Sequence, residues 1–300
     1  MSTLAITGAT GFVGQAFLDA ALADGHRVRA LARRAQTERE RVSWIAGDLG
    51  NADALDQLVE GAEAVIHIAG AVNVPTRDAF AEANIAGTQA VIDAATRAGA
   101  SRFVHVSSLA AREPALSNYG WSKAGAEEAV RGSGLDWAIV RPPAIYGPRD
   151  SDMLELFRMA QRGFVLLPPA GHASIIHVDD LARLLLTLAG APAKQATFEP
   201  DDGAPLAHRD LAQAIGRAVG RQQVLTLSAP APLLRLAARG DRLVRGAKAK
   251  LTLDRAAYMA HPDWTASPAL APDRALWTPQ IALDEGLAAT ARWYRSVGWL

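Results

Sequence analysis

Apolar residues near the start of the chain come as short runs, each followed by a stretch with apolar positions at helical spacing. Leu4-Ala5-Ile6 leads into Thr7-Gly8-Ala9-Thr10-Gly11-Phe12-Val13-Gly14, and residues 15–22 continue with helical periodicity. That pattern predicts a strand, a glycine turn and the first turns of a helix. It recurs in residues 26–32, a second strand, and in 42–49, a third strand ending in Gly47-Asp48-Leu49. A helix is expected over 53–61, then a buried-type strand from Ala64 running into Ala69-Gly70-Ala71. A long helix over 79–98 precedes a fifth strand over 103–108. This alternation predicts a doubly wound parallel sheet covered by helices on both faces. His67, inside an apolar strand, is expected to be a core histidine.

After Pro148 the pattern changes. Residues 153–161 read as helix, 163–171 as loop and 174–178 as strand, with Asp179-Asp180 expected to cap a helix through Leu188. A strand over 197–200, a helix over 208–219 and a strand over 224–227 suggest a smaller α/β lobe. The expected division is residues 1–150 with 172–192 returning to them, against 151–171 and 193–300, with substrate in the cleft between the two parts. Trp264, Trp277, Trp293 and Trp299 in the final section are expected to pack in the core. Residues 232–251 carry Arg235, Arg239, Arg242, Arg245, Lys248 and Lys250, with Leu233, Leu234, Leu236 and Leu243 between them. The first three arginines share one helical face. A solvated face is expected there, with a phosphate-bearing substrate or a membrane surface as the other readings.

Composition narrows the function classes. The chain has 300 residues, 50% hydrophobic and 21% charged, enough for a sizeable core and too apolar for disorder. Its formal net charge is +0, so nothing draws the whole chain to nucleic acid, and no nucleic-acid partner is expected. With Cys 0, disulfides, thiolate metal sites and a cysteine nucleophile are excluded. No histidine cluster has metal-ligand spacing, so no metal is expected. The N-terminus carries the glycine motif in place of a basic leader, and no uncharged run is long enough to span a bilayer. A cytoplasmic protein acting on a small molecule is the expectation.

The glycines at 8, 11 and 14 let backbone approach a phosphate at a helix N-terminus, where unpaired N–H groups and the helix dipole favour negative charge. Arg33 and Arg34 follow the second strand, about 20 residues past the turn, where an NAD site places a ribose-binding acid. An arginine there pairs with a 2′-phosphate, so NADP(H) is expected over NAD(H), which stays open. Ser108 ends the fifth strand, on the side of such sheets where ligands bind. Tyr119 and Lys123 are four residues apart, on one face of a helix. A neighbouring ammonium favours phenolate and makes the tyrosine a usable acid/base near neutral pH.

The ordered set Thr7–Gly14, Asp48-Leu49, Asn84–Thr88, Val106–Ser108, Tyr119-x-x-x-Lys123 and Arg141–Pro148 resembles the extended short-chain dehydrogenases/reductases, the NAD-dependent epimerase/dehydratase family. His177–Ala182 and Trp277-Thr278-Pro279 with Glu285-Gly286-Leu287 extend the likeness over nearly the whole chain. Residues 104–109 and 117–124 look closer to bacterial relatives of the complex I accessory subunit, and to 3β-hydroxysteroid dehydrogenase and dihydroflavonol reductase-like members. The resemblance implies a Rossmann-type domain with a smaller C-terminal substrate lobe. It implies cofactor contacts from Gly8, Thr10, Gly11, Phe12, Val13 and Gly14, from Asp48 and Leu49 to the adenine, and from Ala69, Gly70 and Val106. Pro142, Ala144 and Ile145 would lie by the nicotinamide. Ser108 would hold the substrate oxygen, Tyr119 would be the acid/base, and Lys123 would hold the ribose and tune Tyr119. Asn84 reads mainly as a bracing residue. The implied activity is interconversion of a carbonyl and an alcohol. A sugar-nucleotide epimerase or dehydratase with tightly held NAD is the alternative, and a non-catalytic nucleotide-binding assembly or regulatory protein a third. Related proteins often dimerise, so a homodimer is allowed.

Overall fold

Why the first half forms a sheet covered on both faces is visible in its burial. Strand β1 (Thr3–Thr7) is buried at Leu4, Ala5, Ile6 and Thr7, and β4 (Ala64–His67) and β5 (Arg102–Val106) are buried at every position. Strands with no solvated face need helices on both sides. Strands β2 (Arg27–Ala32), β3 (Val42–Ala46) and β6 (Trp137–Val140) complete the set, with a seventh strand, Ala196–Phe198. The order is seventh–β6–β5–β4–β1–β2–β3, parallel throughout. The chain reverses its direction of winding between β1 and β4, the crevice where doubly wound sheets bind ligands. The structure, a computed structural model, describes residues 2–191, 195–246, 249 and 251–300. The expected 192/193 boundary and Lys248 and Lys250 of the basic run lie outside the described residues.

The helices of this part are α1 (Phe12–Ala23), α2 (Ala52–Val59), α3 (Arg77–Phe80), α4 (Gly87–Arg97) and α5 (Asn118–Gly132). Leu55, Leu58, Val91 and Ile92 from α2 and α4 pack with Val65, Phe103 and Ile139 of the sheet. The single helix expected over 79–98 is instead broken by a π-helical segment, Ala81–Ala86, between α3 and α4. Asn84 lies in that segment and turns inward to the chain after β4, a demand that regular i→i−4 bonding does not meet.

The chain forms two compact units. The first holds Met1–Pro142, Asp179–Glu199 and Pro272–Thr278, and the second Pro143–Val178, Pro200–Ala271 and Pro279–Leu300. The seventh strand comes from the stretch that sequence periodicity placed in the smaller lobe; its pairing with β6 puts it in the main sheet. Asp179 and Asp180 sit in the first turn of helix Val178–Gly190 and do not precede it. Asp180 is buried and pairs with Arg183, and its carbonyl accepts a bond from Trp277 Nε1 at 3.2 Å.

In the second unit, Phe157, Ile175, Ile215, Leu287 and Tyr294 form the core. It is carried by helices Leu154–Gln161, His208–Ala218 and Leu283–Ser296. Two parallel ribbons pair Ala144–Tyr146 with Ile175–His177, and Phe164–Leu167 with Leu225–Ser228. Of the four tryptophans expected in the core, Trp264 and Trp277 are buried but Trp299 is 36% exposed.

Candidate active site

Because all seven strands run the same way, the segments that follow β1, β2, β3, β4 and β5 share one edge of the sheet. That edge therefore carries the glycine turn, Arg33-Arg34, Asp48-Leu49, Ala69-Gly70 and Ser107-Ser108.

The glycine turn is tight for steric reasons. Gly8 has φ +77, and a Cβ on it would lie 2.7 Å from Ala69 N. A Cβ on Gly14 would collide with the Gly8 carbonyl and stand 2.8 Å from Ala9 Cα. Gly11 N-caps α1 with no side chain bonding the first turn, and the first turn holds no acid. The turn is thus a cradle of backbone at a helix N-terminus, open to a phosphate, and it fits a dinucleotide. Thr10 and Gly11 are exposed, and Phe12 and Val13 half-buried. Gly14→Ala is expected to spoil the cradle, because the atoms it meets are backbone. Stability should fall by about 1–3 kcal/mol, the usual cost of overpacking, with loss of dinucleotide binding. Thermal unfolding and cofactor titration check this, and an unchanged affinity would contradict it.

Arg33 and Arg34 are exposed just past β2. Arg34 lines a surface hollow of about 650 Å³ with Gln36, Arg39 and Trp44, whereas Arg33 does not. Asp48 is exposed and its Oδ1 accepts a 3.0 Å bond from Gly50 N. Leu49 packs against the core and against Gly87.

Behind Ala69-Gly70 runs a buried hydrogen-bonded chain. The Thr88 hydroxyl donates to Asn84 O at 2.6 Å, so it accepts from His67 Nε2 at 2.9 Å. His67 Nδ1 then accepts from the Thr7 hydroxyl at 2.7 Å, whose oxygen accepts from Ala69 N at 3.2 Å. Burial, aided by the charge of Lys123, lowers the His67 pKa to about 3, so the ring stays neutral and this direction of donation holds. His67 is thus a core histidine that pins the backbone under the expected cofactor path. Asn84 braces the same segment, accepting from Ala71 N at 2.6 Å and donating to Ala71 O at 2.9 Å.

Ser117 N-caps α5 by accepting from Gly120 N at 2.9 Å. A Cβ on Gly120 would lie 2.5 Å from Ala110 O, so the glycine lets α5 close on the 3₁₀ turn Leu109–Arg112. Ser108 opens that turn, and its Oγ accepts from Ala110 N at 3.2 Å. Tyr119 is half-buried, its ring tilted against Phe80 with centroids 6.2 Å apart. One turn on, Lys123 is 4% exposed and donates from Nζ to Val106 O at 2.8 Å. A Cβ on Gly70 would lie 3.7 Å from that Nζ and 3.1 Å from Asn84 Oδ1, so these three converge. Burial lowers the Lys123 pKa to about 8, with the charge of Glu127 acting the other way. Pro142 closes the first unit, and its carbonyl accepts from Leu109 N at 3.1 Å. Ala144 and Ile145 lie on a strand of the second unit.

The sequence reading missed what holds this framework. Glu127, 1% exposed, accepts from Ser107 Oγ at 2.6 Å, from Arg141 Nε and a terminal nitrogen at 2.8 and 2.7 Å, and from Arg131 at 2.8 Å. Burial alone would raise its pKa, but bonds from Arg141, Ser107 and Arg131 hold it below the glutamate range. Arg141 also pairs with buried Glu199 at 3.2 Å, and Glu199 with Arg112 at 3.1 Å. The network ties β5, α5, the end of β6, the Ser108 turn and the seventh strand together. The i, i+4 spacing of Lys123, Glu127 and Arg131 is its trace in the sequence.

Known proteins share this fold and much of this sequence. A profile of the NAD dependent epimerase/dehydratase family matches residues 4–199. A ceramide reductase of Caulobacter vibrioides is 38% identical over 99% of this chain and 96% of its own length. A 2-alkyl-3-oxoalkanoate reductase of Stenotrophomonas maltophilia is 28% identical over 94% of this chain and 96% of its own. The crystal structure of the Bordetella bronchiseptica enzyme WbmH with NAD+ superposes with a TM-score of 0.76, at 20% identity over 99% of both chains. Sheet, glycine cradle and relatives define an NAD(P)-dependent oxidoreductase on a Rossmann-type fold. The chain belongs to the NAD dependent epimerase/dehydratase family, among its extended short-chain dehydrogenase/reductase members.

Proposed function

We propose that this chain is an NADP(H)-dependent reductase of a ketone in an alkyl-chain lipid, using Ser108, Tyr119 and Lys123. The observation that carries the chemistry is the buried Lys123 ammonium, anchored to Val106 O one helical turn from Tyr119. The names of the two full-length relatives support the substrate class, since ceramides and 2-alkyl-3-oxoalkanoates are both alkyl-chain compounds. Gly8, Gly11 and Gly14 hold the pyrophosphate, Asp48 and Leu49 border the adenine, and Lys123 holds the nicotinamide ribose. The chemistry supplied by the bound nicotinamide is hydride transfer to the carbonyl carbon. Ser108 Oγ donates a hydrogen bond to the substrate oxygen and orients it. Tyr119 gives that oxygen its proton, and the Lys123 ammonium lowers the cost of leaving phenolate behind. Loss of reduced-nicotinamide absorbance with a ketone-bearing ceramide or a 2-alkyl-3-oxoalkanoate tests the reading. No turnover of either ketone, from a protein that binds NADPH, would sink it.

The 2′-phosphate preference rests on Arg33 and Arg34, both exposed just past the end of β2. Charge-assisted bonds contribute about 1.5–3 kcal/mol each, so Arg33→Ala with Arg34→Ala should weaken NADPH binding roughly tenfold or more. NADH affinity should hardly move. An unchanged ratio of the two affinities would remove the assignment.

A further inference from the structure

Helix Ala231–Arg245 of the second unit is apolar on the side that faces the protein and again on the side that faces away. Leu234 and Ala238 pack inward with Ala256, Ala229 and Leu251. Asp241 belongs to the inner side: it pairs with Arg245 at 3.3 Å and accepts from Leu251 N at 2.9 Å. At 3.6 residues per turn, Leu233, Leu236, Leu243 and Val244 fall on the outer side. They are 53%, 63%, 87% and 84% exposed. The face of arginines expected from the sequence is solvated, and beside it lies an exposed stripe of leucine and valine that the sequence reading did not single out. Arg235, Arg239 and Arg242 run along one border of that stripe. All three are exposed, and among the described residues none of them forms an ion pair. In the ribbon that ends just before the helix in sequence, Leu166 and Leu227 are register partners and both are exposed, as is Leu225. Most of the large hydrophobic side chains that the described residues leave exposed belong to this helix or to that ribbon.

We propose that this face docks the protein on an anionic phospholipid surface, with the leucines and Val244 in the acyl boundary and the arginines at phosphate level. Charge decides the occupant. An apolar stripe edged by cations with no acid among them complements a sheet of lipid phosphates. Arginine stems can lie along the apolar boundary while their guanidinium groups stay with the headgroups. No helix among the described residues is long and apolar enough to cross a membrane, so the contact is peripheral.

The test is flotation of the full chain with vesicles of phosphatidylcholine, with and without phosphatidylglycerol. Binding is expected to the anionic vesicles, to weaken with salt, and to be at least tenfold poorer on phosphatidylcholine alone. Leu236→Glu with Leu243→Glu should abolish it. Arg235→Gln, Arg239→Gln and Arg242→Gln together should reduce it and flatten its salt dependence. Both variants should keep the wild-type unfolding midpoint and NADPH affinity, since every altered side chain is exposed. Absence of vesicle binding by the wild type overturns the proposal, as does binding that both variants retain. A dimer that Leu236→Glu with Leu243→Glu dissolves, in a protein that ignores vesicles, also overturns it and gives the face to a second copy.

Discussion

Tyr119→Phe is expected to lower turnover on the order of 10²–10⁴-fold, the usual worth of a positioned acid/base, with the fold and cofactor affinity unchanged. The ring and its contact with Phe80 remain, while the proposed proton donor is gone. Ser108→Ala should cost less, because it removes an orienting hydrogen bond and leaves the proton in place. Lys123→Met separates the roles further. It deletes the bond to Val106 O and a charge carried one helical turn from Tyr119, so it should lower turnover and also weaken cofactor binding. The pH profile is the sharper readout. For alcohol oxidation with Tyr119 as base, the rate should rise with pH through one ionisation. With its pKa near 8, the Lys123 ammonium is charged at neutral pH, and in the proposed mechanism that charge favours phenolate there. Lys123→Met should therefore move the ionisation upward. A fully active Tyr119→Phe would refute the mechanism, and an unmoved ionisation in Lys123→Met would take the lysine out of its tuning role.

Glu127→Gln is expected to cost about 3 kcal/mol of stability, near the lower end for breaking a buried ion pair by removing one partner. The amide keeps the shape but leaves Arg141, itself mostly buried, short of its counter-charge. Glu199 still pairs with Arg141 and limits the loss. The sign with pH follows from the depressed pKa. A carboxyl held below the ordinary glutamate value of 4.5 stabilises the fold fully above that value, and the contribution is lost as pH falls through the lower, folded-state pKa. The gap between wild type and variant in denaturant titration should thus be widest near neutrality and close in acid. A gap that persists unchanged at low pH would mean that the carboxylate charge is not what holds the network.

Local spacing carried the outline of this protein. Short apolar runs alternating with helical periodicity specify the parallel sheet, because a strand buried on both faces and a helix buried on one leave different repeats in the chain. The glycines at 8 and 14 were legible because no other residue fits against the Ala69 and Gly8 backbone. That Tyr119 and Lys123 share one helix was legible because they stand four residues apart. Tertiary structure decided everything that depends on partners distant in sequence. Arg141 and Glu199 are separated by 58 positions, and Arg112 and Glu199 by 87, and no local pattern marks either pair. The π-helical break at Asn84 arises from the side chain's bonds to Ala71, 13 residues earlier, and helical periodicity alone predicted an unbroken helix. Strand Ala196–Phe198 looked like part of the smaller lobe until β6 offered it an edge. The helix Ala231–Arg245 shows the limit most plainly. Periodicity reveals apolar stripes, but only the packing of Leu234 and Ala238 shows which stripe the protein covers and which, Leu236 and Leu243 among it, it leaves outside.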